Sequence, residues 1–264
     1  MNFQPGFDIH AATEPLSFTY GPGVFGPQPE LRKLDSIRKS LLDPTCTGPE
    51  IVYVIAMDVG KHEHQPDLEK RMLLYGAVTY AAGKLGREPV RSQGHVHKVS
   101  QHSGWSPPEV YEIWRGRAII LMQERATSDP GQCFAVDAGP GDIVIVPPRW
   151  AHMTISADPA SPLTFGAWCD REYGFAYNDV RAHGGLAWFP VYEETGSENS
   201  EQIIFEANPR YQPSTLVRKS PATYSDLGIA PGIPIYRQYE ASPETFQFVP
   251  QAYQMADVWE NFIP

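Results

Sequence analysis

Between residues 94 and 152 the chain reads Gly94-His95-Val96-His97, then Glu109-Val110-Tyr111, then Gly141-Asp142-Ile143-Val144-Ile145-Val146-Pro147-Pro148-Arg149-Trp150-Ala151-His152. In an extended strand residues i and i+2 point to the same face, so the imidazoles of His95 and His97 converge on one side of a sheet. Two converging imidazoles are half of a site for a divalent transition metal. Glu109 opens the next apolar run and shares a face with Tyr111. The later segment is a strand, a proline turn and a histidine on the returning strand.

Outward from this stretch the pattern repeats. Short β-type runs occupy 51–57, 73–80, 110–114, 118–122, 142–146, 153–155 and 163–168. Turn signals such as Arg115-Gly116, Asp129-Pro130-Gly131 and Ala138-Gly139-Pro140-Gly141 separate them. Many short strands with regular breaks predict a closed barrel or a two-sheet sandwich. Helical spacing is confined to Leu31, Leu34, Ile37 and Leu41, with Pro29 ahead and Pro44 behind, which predicts one helix over 29–43. The chain is expected to divide into an N-terminal arm and helix (1–48), a barrel (49–189) and a C-terminal extension (190–264) packed on the barrel or on a partner subunit.

The 264 residues are 42% hydrophobic, so a sizeable core is expected. Prolines (26) and glycines (22) favour a turn-rich β protein. The formal charge of −10 has no basic block beside it, which argues against nucleic acid or an anionic membrane as partner. Three scattered cysteines and no CxxC pair suit a reducing compartment, and neither a leader-like start nor a long apolar run is seen. A cytoplasmic location is the expectation.

The ordered set of HxH, Glu, six residues and Gly116, then G-x5-P-x4-H, resembles the two-part cupin motif. That resemblance implies an all-β double-stranded β-helix, a jelly roll, with a short N-terminal helix and an extended C-terminal appendage. It assigns His95, His97, Glu109 and His152 to one divalent metal per subunit, for which Fe, Mn, Ni, Co or Zn would serve. The fuller match of GHxH, EVY, VPPxWAH and Glu172-Tyr173-Gly174 is similar to the cupin-type glucose-6-phosphate isomerases best known from archaea. It covers roughly residues 50–180.

This likeness implies interconversion of glucose 6-phosphate and fructose 6-phosphate by a homodimer. Glu109 is expected to be the base or proton shuttle, with Tyr111 orienting a sugar hydroxyl. For the phosphate or sugar, Thr79, Ser92, the Gly94 backbone N–H and Tyr173 match family positions, and Lys84, Arg91 and Lys98 add charge nearby. The chain departs from the family in an insertion over 98–108, expected to form a lid or to re-aim Glu109. It also has Ser156 where the family has asparagine, and a long C-terminal extension. Three alternatives stand beside this reading: an isomerase of another sugar or sugar phosphate, a metal-binding sugar sensor without turnover, and an iron-dependent dioxygenase. The second HxH, His62-Glu63-His64, is expected to be a solvated loop, and the cysteines small buried hydrophobes.

Overall fold

A computed structural model describes residues 2–193 and 202–264. Ten strands build two facing sheets: β1 (Glu30–Lys33), β2 (Ile51–Met57), β3 (Leu73–Tyr80), β4 (Glu109–Arg115), β5 (Ala118–Gln123), β6 (Cys133–Ala138), β7 (Ile143–Val146), β8 (Ala151–Ser156), β9 (Thr164–Asp170) and β10 (Leu216–Lys219). The larger sheet has the order β7-β4-β9-β3-β2-β1, and the smaller has β8-β5-β6-β10. All pairings are antiparallel except β6 with β10. From β4 to β9 the chain crosses between the two sheets at every step except the β5–β6 pair, which is the jelly-roll arrangement the motif implied.

One core lies between the sheets and is built from alternating residues such as Val52, Leu74, Ile113, Ile120, Val136 and Val144. The outward faces are covered as well. The large sheet packs Val54, Tyr75, Trp114 and Trp168 against the N-terminal hairpin (Phe7, Ile9, Phe18) and the C-terminal segment (Tyr236, Tyr239, Phe246). The small sheet packs Ile119, Leu121 and Met153 against Val180, Leu186 and Tyr192. Strands covered on both sides read as continuous apolar runs rather than as alternation, and β3 is buried at all eight positions.

Three of these ten strands were not expected. Residues 29–43 do not form one helix. Glu30–Lys33 is extended and hydrogen-bonds along β2, and only Leu34–Ile37 is α-helical before a 3-10 turn over Arg38–Ser40. The ladder with β2 satisfies backbone groups that a lone helical turn leaves open, so tertiary pairing overrides the local spacing. Leu31 is 52% exposed as a result, while Leu34, Ile37 and Leu41 are buried. Cys133–Ala138 and Leu216–Lys219 have few strong strand formers and are strands because neighbours pair with them. Among the described residues no helix is long and apolar enough to cross a membrane.

Candidate active site

His95, His97, Glu109 and His152 meet at one end of the space between the sheets. One ligand atom from each lies within 4.8 Å of the others. Backbone pairing places them. His95 and His152 form an antiparallel bridge, with N–H to O distances of 3.0 and 2.9 Å. His97 sits in a two-residue ladder with Phe175. Glu109 begins β4 opposite Val146, the last residue before the Pro147-Pro148 turn that delivers His152.

Two of the three imidazoles are aimed by a second contact. His97 Nδ1 is 3.0 Å from the Pro107 carbonyl, which accepts its proton and turns Nε2 toward Glu109 Oε2 at 3.2 Å. His152 Nδ1 is 3.2 Å from the Trp150 carbonyl, leaving Nε2 3.3 Å from the same oxygen. His95 Nε2 is buried without a hydrogen-bond partner. An orphaned buried ring nitrogen facing two imidazoles and a carboxylate fits a metal-ligand set.

Glu109 is held from both sides. Tyr111 donates its hydroxyl proton to Oε2 at 2.6 Å, and the Cys169 thiol donates to Oε1 at 3.2 Å. Burial pushes the Glu109 carboxyl up, but hydrogen bonds from His152 and His97 hold it well below the usual range. Burial, then the neighbouring His152 and His97, keeps His95 neutral. Burial and then Glu109 push the Tyr111 phenol up, so it stays a donor. A small cleft of about 50 Å³ opens onto this cluster, lined by Glu109, Tyr111 and His152 together with Tyr53, Gln93 and Tyr177.

The expected phosphate contacts separate. Ser92 lines the cleft, and its hydroxyl accepts the Thr154 N–H at 3.1 Å. Thr79 does not reach the cleft. Val78 and Tyr80 line it, so Thr79 points to the opposite face, where its hydroxyl meets Thr164 Oγ1 at 2.9 Å. Lys84 belongs to a separate hairpin with its ammonium 4.7 Å over the Tyr192 ring. Arg91 is fully buried and committed to Glu88, Ser40 and Ser92. Gly94 is a backbone hinge at φ +86°, and a Cβ there would press Leu186 and Val180 at 3.3 Å. Tyr173 is 40% exposed and does not line the cleft, although its neighbours Phe175 and Tyr177 do.

The insertion is fastened. Glu172 accepts from Ser100 Oγ and His102 N at 3.0 and 2.7 Å, Ser106 donates to the His97 carbonyl at 2.7 Å, and Arg149 stacks 4.4 Å over Trp105. Its final residues carry the Pro107 carbonyl that orients His97, so it braces the cluster and leaves Glu109 inward. Cys169 is the site residue that sequence reading missed. The second HxH lies apart, with His64 Nδ1 3.1 Å from the Tyr236 hydroxyl.

A family model described as glucose-6-phosphate isomerase matches residues 40–208, a span containing all four clustered residues. A glucose-6-phosphate isomerase of Thermococcus litoralis is 27% identical over 165 residues, covering 62% of this chain and 75% of that one. One from Pyrococcus abyssi is 26% identical over 209 residues, covering 75% and 98%. A solved oxalate oxidase structure is similar at 10% identity and a TM-score of 0.35, over 47% of this chain and 54% of that one. With the matched span taking in the whole cluster and eight of the ten strands around it, this chain is an isomerase and belongs to the glucose-6-phosphate isomerase family.

Proposed function

We propose that the protein is a metal-dependent aldose–ketose isomerase that interconverts glucose 6-phosphate and fructose 6-phosphate, with His95, His97, Glu109 and His152 as the ligands of one divalent transition metal. The observation that carries this reading is the convergence of those four side chains, three of which line one cleft. Bound there, a divalent cation supplies Lewis-acid polarisation of the open-chain carbonyl and of the neighbouring hydroxyl.

The chain's own groups do the rest. Aldose–ketose exchange moves one hydrogen between C1 and C2 and one proton between the two oxygens. Glu109 is ionised and fixed by Tyr111 and Cys169, so it accepts a proton from one position and returns it to the adjacent one. The Tyr111 hydroxyl, 2.6 Å from that carboxylate, stands where a sugar hydroxyl meets the base. Phe165, Phe175 and Tyr80 wall the cleft and limit water at the reacting carbons.

A coupled assay of fructose 6-phosphate conversion with Mn²⁺ or Fe²⁺ tests this. The expected result is turnover by the metal-loaded protein that falls by about a thousandfold or more in Glu109→Ala. No turnover of any phosphosugar, or full activity in Glu109→Ala, contradicts it.

A further inference from the structure

The proposed substrate carries its charge at the end away from the reacting carbons. Thr79, Lys84 and Arg91 do not line the cleft, so of the expected phosphate side chains Ser92 is there without either of those two cations. Arg32 is placed for that charge. It lies on the edge strand β1 directly across from Tyr53. Facing residues on antiparallel neighbours share a sheet face, and Tyr53 lines the cleft, so Arg32 points inward at the rim.

Its side chain is 19% exposed, and Nη1 is paired with Glu30, which is 63% exposed. Arg32 Nε is buried and lacks a hydrogen-bond partner. A buried guanidinium N–H without an acceptor is unfavourable, and an entering oxyanion removes the deficit. Arg181 reaches the same end of the cleft: its Nε donates to Gln93 Oε1 at 2.9 Å, and its guanidinium lies 4.9 Å over the Tyr177 ring. The Tyr177 ring also lies 6.0 Å from the His95 ring, and Arg32 interacts electrostatically with both Tyr53 and Tyr177. Both guanidinium groups thus neighbour the aromatic ring that adjoins the cluster.

We propose that Arg32, with Arg181 beside it, is the anion anchor of the cleft and receives the phosphate of an open-chain sugar phosphate. The identity of that ligand rests on the isomerase reading above. A guanidinium fork offers parallel N–H donors to a phosphate in a way a single ammonium does not. Glu30 competes with the phosphate for the same guanidinium, so neutralising Glu30 strengthens anion binding.

The test compares wild type, Arg32→Gln and Glu30→Gln as metal-loaded proteins, with fructose 6-phosphate as substrate and inorganic phosphate as competitor. Arg32→Gln is expected to raise KM by about tenfold or more, to change kcat by less than about threefold, and to weaken phosphate inhibition by a similar factor to KM. Glu30→Gln is expected to tighten phosphate inhibition by about threefold, an effect that loss of folding does not produce. Unchanged KM and unchanged phosphate inhibition in Arg32→Gln overturn the anchor. If wild type converts no phosphosugar, the isomerase reading fails separately. Calorimetric titration with inorganic phosphate then decides the anchor alone: weaker binding in Arg32→Gln than in wild type supports it, and equal binding overturns it.

Discussion

Glu109 receives protons or lone-pair partners at both oxygens, and the donors differ in what they do. Tyr111 makes a short O–H···O contact of 2.6 Å with the oxygen that also faces His97 and His152. Replacing it with phenylalanine keeps the ring and deletes the donor. Tyr111→Phe is expected to lower kcat by about ten- to a hundredfold with metal content unchanged, read by steady-state kinetics beside elemental analysis. Cys169, itself buried, holds the other oxygen at 3.2 Å. Cys169→Ala is expected to weaken metal retention against a chelator by about tenfold, and Cys169→Ser, which keeps a donor, to restore most of it. Equal retention in all three would leave the thiol a packing residue. His95 and His97 were legible from strand period, and Glu109 and His152 from the resemblance to the cupin motif. Cys169 was not, because a single thiol among apolar neighbours looks like any small core residue. Arg32 was hidden by the expectation of a helix there.

Strand parity decides which side chains reach the cleft, and parity is invisible when both faces are apolar. Leu73–Tyr80 buries every residue, so the sequence could not say that Val78 and Tyr80 face the cleft while Thr79 faces away. The Arg115-Gly116 turn was legible, and its glycine has a reason. Gly116 sits at φ +82°, and a Cβ would lie 2.7 Å from the Pro162 carbonyl. Gly116→Ala is expected to destabilise the fold by about 2–4 kcal/mol, combining left-handed strain with a backbone clash, as read from urea unfolding. A loss below about 0.5 kcal/mol would mean the turn relaxes freely. The 98–108 insertion was visible as a length, but its role was not. Only contacts at distant Glu172 and Arg149 show that it braces His97.

For the molecule as a whole, the jelly roll is a core enclosed by two coverings. The C-terminal covering is pinned at Glu112, which is fully buried on the outer face of β4. Its carboxyl accepts the Ile235 N–H at 2.7 Å and the Trp114 indole N–H at 3.1 Å. Burial pushes it up to about 8, against those two donors. Between its ordinary range and about 8 the folded protein therefore holds a proton that the unfolded chain has released. The stability this group contributes is full at low pH and is lost as pH rises through about 8. Denaturant unfolding from pH 6 to 9 is expected to show stability falling with pH, with a shallower fall in Glu112→Gln. Identical slopes would contradict the assignment. The same covering buries Trp168 against Tyr75, Tyr236 and Phe246. Trp168→Ala is expected to cost about 3–5 kcal/mol in urea unfolding. The sequence showed a proline- and aromatic-rich tail but not its seat, because such irregular chain has no period to reveal which surface it covers.

The most direct measurement is metal titration of the metal-stripped protein with isomerase activity followed in parallel. The account predicts that one equivalent of a divalent transition metal per chain binds and that fructose 6-phosphate turnover rises in proportion to it. It predicts neither binding nor turnover in the double variant His95→Ala/His152→Ala. Full activity after metal removal, or stoichiometric binding that survives the loss of both histidines, would contradict it.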